Sequence, residues 1–190
     1  KRILVFSDCY DAVISCSPNQ ILSKFREIQK NTGCDILFSG EAVIWPDSSL
    51  ETRFPNLSTP YKYLNSGGFI GTIENLKILT KTFIKSSDDD QLYYQLEYLR
   101  SVENNHSLKI IIDDKVQIFQ TLSSHFSYIN IDYSKSKVKN DLTHSMPLVI
   151  HGNGGVESKI FLNKLCNYIN LKYRIKHGYK DIHSDINKLK

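Results

Sequence analysis

One tryptophan, one methionine and five prolines are all that this chain of 190 residues carries of those types. Its four cysteines (Cys9, Cys16, Cys34 and Cys166) form no CxxC pair and no zinc-like spacing, which argues against a cysteine-based metal site. Their positions specify no disulfide. No apolar run is long enough to span a membrane, so no transmembrane segment is expected. Charge of one sign is also scarce: the surplus is only +4 and is scattered, which argues against nucleic acid as a partner. The densest basic stretch, Lys172, Arg174, Lys176 and Lys180, reads as a solvated helix face or tail. There is neither an internal repeat nor a low-complexity linker. With 41% hydrophobic and 23% charged residues the composition is globular, and residues 1–190 read as a single domain. No signal peptide is visible, and Lys1 stands directly before an apolar run, so an upstream portion is expected to be missing.

That run, Ile3-Leu4-Val5-Phe6, is too short for a buried helix and reads as a fully buried strand. It empties into Ser7-Asp8-Cys9-Tyr10-Asp11. In open α/β sheets the carboxyl edge of the strands is where ligands bind. Two carboxylates bracketing an aromatic at that edge fit a divalent-metal site holding a sugar-nucleotide diphosphate, with Tyr10 as a stacking surface. An Asp-rich turn whose carboxylates cap backbone N–H groups accounts for the same residues.

Downstream, Ser17-Pro18-Asn19-Gln20 reads as a helix start with a capping box, and Gly33 as its stop. Ile21, Phe25 and Ile28 share the apolar face between them. Asp35-Ile36-Leu37-Phe38 is the next strand, so a parallel right-handed βαβ crossover is expected. It leads into Ser39-Gly40-Glu41, with Trp45-Pro46 in the following loop. Trp45 suits either a flap over a ligand or a small satellite hydrophobic cluster. Residues 48–60 read as a surface loop. In Tyr63-Leu64-Asn65-Ser66-Gly67-Gly68-Phe69-Ile70-Gly71 the paired glycines serve a close backbone approach to a ligand or a tight turn. Thr72 starts a helix with Leu76, Leu79 and Phe83 on one face.

Asp88, Asp89 and Asp90 precede a helix whose Leu92, Leu96 and Leu99 share a face. Negative charge is favoured at a helix N-terminus. Three adjacent carboxylates exceed what capping needs, which points to catalysis or ligand binding. Residues 108–112 form a strand ending in Asp113-Asp114, residues 117–119 a short one, and an irregular stretch runs to about His144. Residues 147–150 form a last buried strand ending in His151-Gly152-Asn153-Gly154. A histidine at a strand end before glycine-rich backbone suits a metal ligand beside a phosphate cradle. A helix with Ile160, Leu165 and Ile169 on its apolar side spans 157 to about 173.

Taken together, the Phe6–Asp11 segment, Phe38–Glu41 with Trp45-Pro46, Tyr63–Gly71, Asp89-Asp90-Gln91 and His151–Gly154 resemble, in order and spacing, the glycosyltransferase domain of procollagen lysyl hydroxylases. The resemblance implies a GT-A-like α/β fold with a mostly parallel sheet flanked by helices. It implies Mn²⁺ as cofactor, UDP-glucose as donor, and retaining transfer of glucose to galactosyl-hydroxylysine, or transfer to hydroxylysine, on collagen-like chains. It carries the metal ligands onto Asp8, Asp11 and His151, uracil stacking onto Tyr10, and the donor-covering tryptophan onto Trp45. Asp89 and Asp90 take the carboxylates required for transfer. Asn65, Gly152 and Asn153 line the donor site, with Glu41, Gly67 and Gly68 beside them. The family usually has Pro-Thr-Lys soon after His-Gly-Asn-Gly, where this chain has Gly155-Val156-Glu157-Ser158-Lys159; Lys159 is the residue expected to reach the diphosphate. The family's domain also has a βα portion ahead of the Phe6 segment, and the resemblance implies the endoplasmic reticulum lumen or secretory pathway. No hydroxylase signature is present. Two other functions are weighed: a non-catalytic carbohydrate- or sugar-nucleotide-binding module of the same fold, and a haloacid dehalogenase-type phosphatase. The second needs an aspartate two residues after Asp8, and Tyr10 stands there.

Overall fold

The computed structural model describes residues 2–81, 88–123, 126–135 and 137–176. The expected Phe83, Lys180 and the tail beyond 176 lie outside the described residues. Nine strands and four α-helices are described, in the order β1 (Ile3–Ser7), β2 (Ala12–Ile14), α1 (Pro18–Thr32), β3 (Ile36–Glu41), β4 (Tyr63–Thr72), α2 (Ile73–Leu79), α3 (Asp90–Val102), β5 (Ile110–Asp113), β6 (Phe119–Thr121), β7 (Ile129–Asp132), β8 (Lys137–Asn140), β9 (Val149–His151) and α4 (Val156–Lys176). A 3₁₀ turn, Ser48–Arg53, interrupts the loop between β3 and β4.

Local chemistry explains both ends of α1 and the starts of α2 and α3. Ser17 N–H donates to the Gln20 side chain at 2.9 Å, closing one half of the capping box. Gly33 ends α1 in the left-handed conformation (φ 70°), which costs glycine nothing. Ile21, Phe25 and Ile28 are buried, as their spacing demands. Thr72 and Asp89 cap α2 and α3 by accepting from Asn75 N–H and Leu92 N–H.

The main sheet runs β1-β4-β3-β5 and is mixed rather than mostly parallel. β4 is antiparallel to both β1 and β3, while β3 and β5 are parallel. The Tyr63–Thr72 segment, with its paired glycines, is one ten-residue strand that runs between β1 and β3 in the reverse direction. β1 is likewise not fully buried: it is an edge strand, and Leu4, Val5 and Phe6 are 41%, 39% and 39% exposed. Phe6 still stacks on Phe69 of β4 with ring centroids 4.6 Å apart.

A second sheet, β2-β9-β6, pairs β2 antiparallel and β6 parallel to β9. The stretch expected to be irregular before His144 contains the β7–β8 hairpin. α1 packs on one face of the main sheet through Leu37 and Ile70, and onward to Ile118 and Val149. α2 and α3 cover the other face with Leu76, Leu79 and Leu99 against Ile36, Phe38 and Phe69. In α4 it is Phe161, Leu162, Leu165 and Ile169 that meet Ile150 and Val138, whereas Ile160 is 49% exposed. Asp113, at the end of β5, is consumed by the fold: its buried carboxylate accepts from the backbone N–H groups of Gln117, Ile118 and Phe119 at 2.9, 2.7 and 2.9 Å.

Two features bring loops from both sheets together. Thr121 of β6 donates to the Gly40 carbonyl of β3 at 2.8 Å. In the β3–β4 ladder Phe38 faces Phe69 but Ser39 faces Asn65. Ser66, Gly67 and Gly68 therefore bulge away from β3, as bulges beside functional sites do, and Gly67 is carried toward the end of β9.

Candidate active site

Asp8 and Asp11 leave the end of β1, and His151 ends β9. Their ligand-type atoms all lie within 4.8 Å of one another. His151 Nε2 stands 3.2 Å from Asp8 Oδ2 and 3.5 Å from Asp11 Oδ1. The pairing of β2 with β9 sets Ala12 opposite His151, and Gly152 N–H donates to the Asp11 carbonyl at 2.6 Å. Asp8 N–H donates to Gly67 O at 3.1 Å, so the Asp8 backbone is tied to β4. A Cβ on Gly67 would come 2.6 Å from His151 Nδ1 and 2.8 Å from Asp8 Oδ2, so only glycine leaves room for the trio. Two exposed or half-exposed carboxylates around a buried imidazole form a hard, oxygen-rich donor set that suits Mn²⁺ or a similar divalent cation. Burial pushes the His151 imidazole down, against the upward pull of Asp11 and Asp8, and so favours the neutral ring that a cation needs.

Asp8 and Asp11 stand between two clefts. One, of about 610 Å³, also holds Cys9, Tyr10 and, from α4, Lys159. Tyr10 is fully exposed there, a free aromatic face beside an acidic turn. The other, of about 510 Å³, runs from the trio past Asn65 and Gly67 to Glu41, Trp45 and Asn153. A larger cavity of about 800 Å³ lies between α1 and residues 143–148, at the opposite end of β9 from His151, and contains none of the trio.

The floor of the second cleft is a polar network. Gln91 reaches in from the first turn of α3 and donates to Glu41 Oε1 at 2.7 Å and to the Trp45 carbonyl at 2.9 Å. Asn153 donates to Glu41 Oε2 at 3.1 Å and accepts from Leu122 N–H at 3.0 Å. Gln95 adds a second bond to the Trp45 carbonyl at 2.7 Å. The Trp45 backbone is thereby fixed while its ring, 64% exposed, stands at the cleft mouth. An exposure of that size argues against the satellite-core alternative. Glu41 is 3% exposed, and burial pushes its carboxyl up to about 7 against hydrogen bonds led by Gln91.

The structure thus gathers Asp8, Asp11, His151, Glu41, Trp45, Asn65, Gly67 and Asn153 around one cleft, and Tyr10 and Lys159 around its neighbour. Gly68 and Gly152 act from behind: a Cβ on the first would meet Phe119, and on the second Leu162 and the Asp11 carbonyl. Asp89 and Asp90 do not line either cleft. Asp89 Oδ1 is engaged as the α3 cap, accepting from Leu92 N–H at 2.9 Å, and Asp90 is exposed in the first turn. Gln91, the residue after them, is the one that enters the site. Its signal in the sequence was faint: Gln91 and Gln95 are four apart and each precedes a leucine of the apolar face, a spacing that sets both at the edge of that face.

Residues 1–179 match the family model described as the PLOD GT domain. The chain is 35% identical over 170 residues to the rat multifunctional procollagen lysine hydroxylase and glycosyltransferase LH3, covering 88% of this chain and 22% of that protein. It is 33% identical to mouse procollagen-lysine,2-oxoglutarate 5-dioxygenase 2 over the same shares of both chains. An uncharacterized protein, R699, of Acanthamoeba polyphaga mimivirus is 34% identical, covering 88% of this chain and 34% of that protein. The chain spans about a fifth of the length of these two collagen-modifying relatives, and the family-model match over residues 1–179 includes every residue of both clefts. It belongs to the PLOD GT domain family, and its function is of the glycosyltransferase type.

Proposed function

We propose that this domain is a metal-dependent, retaining glucosyltransferase of GT-A type that moves glucose from UDP-glucose to galactosyl-hydroxylysine on collagen-like chains. The observation that carries the reading is the convergence of Asp8, Asp11 and His151 between two clefts, one with a free tyrosine face and a lysine, the other with a tryptophan and a buried carboxyl. Asp8, Asp11 and His151 would hold Mn²⁺, which when bound supplies a Lewis acid for the charge growing on a diphosphate leaving group. Tyr10 stacks on the uracil and Lys159 faces the diphosphate from α4. Glu41, Asn65, Gly67 and Asn153 border the sugar, with Gly68 and Gly152 holding the backbone that shapes it, and Trp45 closes over the donor. Asp89 and Asp90 stand two and one residues before Gln91, which lines the second cleft. Their role in this reading is to stabilise the oxocarbenium-like state or orient the acceptor hydroxyl.

A second reading, binding of a sugar nucleotide without turnover, draws on one observation: neither Asp89 nor Asp90 lines a cleft. Product formation from labelled UDP-glucose and a galactosyl-hydroxylysine peptide separates the two. For the metal assignment, Asp11→Ala is expected to abolish Mn²⁺-dependent UDP binding in calorimetry while the melting temperature stays within a few degrees. Unchanged Mn²⁺-dependent affinity in that variant would remove the assignment.

A further inference from the structure

We propose that Asn65 is a positioning residue: it accepts the Nδ1 hydrogen of His151 and so reserves Nε2 for the cation. The inference rests on the metal reading of the trio. It follows from which end of each buried amide meets which backbone group, since N–H groups only donate and carbonyls only accept.

Gln91 is 8% exposed, and the backbone fixes its amide at both ends. Ser66 N–H lies 3.1 Å from one end, which must be Oε1. The Trp45 carbonyl lies 2.9 Å from the other, which must be Nε2. The Asn65 atom 3.1 Å from Gln91 Oε1 must then donate, so it is Nδ2. Gly67 N–H, 3.0 Å from the opposite end of Asn65, independently requires Oδ1 there. Asn65 Oδ1 cannot donate, and it lies 3.1 Å from His151 Nδ1. Nδ1 therefore carries a hydrogen, and Nε2, facing both carboxylates, is the nitrogen left to coordinate. Asn65 is 4% exposed and His151 5%, so no solvent partner substitutes for this bond. Gln91 braces Asn65 from the side of Trp45 and Glu41. Outer partners that orient a ligating histidine in this way are worth about 10–100-fold in metal affinity.

The test places the hydrogen directly. Long-range ¹H–¹⁵N correlation of the ion-free full chain, at about pH 9 and so above the ordinary imidazole range, separates an N–H nitrogen from a bare one. In the parent, His151 Nδ1 is expected as the N–H nitrogen. In Asn65→Asp, which keeps an acceptor but no donor, it stays so. In Asn65→Leu the acceptors that remain are the Asp8 and Asp11 carboxylates, so the hydrogen moves to Nε2. Mn²⁺ affinity by calorimetry then falls about tenfold or more. A bare Nδ1 in the parent overturns the proposal even if no variant folds, and so does an unmoved hydrogen in a folded Asn65→Leu protein. Failure of the metal reading is seen separately, as His151 resonances that stay sharp when Mn²⁺ is added to the parent.

Discussion

Gly67→Ala probes the packing on which the trio depends. The new Cβ would sit 2.6 Å from His151 Nδ1 and 2.8 Å from Asp8 Oδ2, with the ring carbon Cε1 closer still. Ordinary contact begins at 3.4 Å, so the ring must retreat by at least about 0.8 Å. The backbone cannot yield instead, because Gly67 N–H donates to Asn65 and Gly67 O accepts from Asp8 N–H. A ring pushed that far loses its 3.1 Å contact with Asn65 and its place between the carboxylates. One lost buried hydrogen bond and local overpacking together cost about 1–3 kcal/mol. For a domain of this size that lowers the melting temperature by about 2–12 °C. Mn²⁺ affinity, which depends on the ring position, falls at least about tenfold. Gly155→Ala is the control, since a Cβ there meets nothing within 4 Å, and stability is expected to stay within about 0.5 kcal/mol. The assay is thermal unfolding beside calorimetric titration with Mn²⁺. Parent-like melting and parent-like Mn²⁺ affinity in Gly67→Ala would refute the placement of His151 over Gly67.

Three further outcomes are expected. Trp45→Ala cuts glucosyl transfer but costs less than the 3–5 kcal/mol of a truncated core aromatic, roughly, because the ring is 64% exposed; a stability loss of that size measured in urea would return Trp45 to the core. Asp89→Asn keeps the α3 cap, since asparagine caps as well as aspartate, and Asp90→Asn changes only an exposed first-turn charge; at least one of the two lowers transfer by about a hundredfold, while parent rates in both would leave these carboxylates as a helix start. Glu41 links stability to pH. Its folded value of about 7 lies above its unfolded 4.5, so the folded state holds the extra proton and this contribution is lost as pH rises from about 4.5 through 7. A shift of that size is worth about 3 kcal/mol, and Glu41→Gln should flatten the decline between pH 5 and pH 8 in urea titrations. Parallel slopes for parent and variant would show that Glu41 is not the group responsible.

What the chain order alone determined is the set of strand ends and caps. Ser17, Gln20 and Gly33 bound α1 because capping is local chemistry between residues a turn apart. Asp8, Asp11 and His151 were legible as candidates because they stand at or just past the ends of short apolar runs, where side chains leave the core, and the structure brings the three together. Asp113 follows the same rule yet spends its carboxylate on three backbone N–H groups of the next turn, a use that no spacing distinguishes from ligand binding.

Only the tertiary structure decided strand direction, because a strand's side-chain period is the same whichever way it runs. The paired glycines of β4 read in sequence as a close approach to a ligand or a tight turn, and the segment is the antiparallel strand that separates β1 from β3. That reversal leaves β1 at an edge with apolar residues exposed on both faces, and it sets Gly67 beneath His151. Burial of polar residues was equally invisible. Glu41, Asn65, Gln91 and Asn153 are scattered over 113 positions and carry no common pattern. They form one network because β3, β4, α3 and β9 end at the same place, and a buried amide or carboxyl there is stable only with its neighbours' hydrogen bonds in hand.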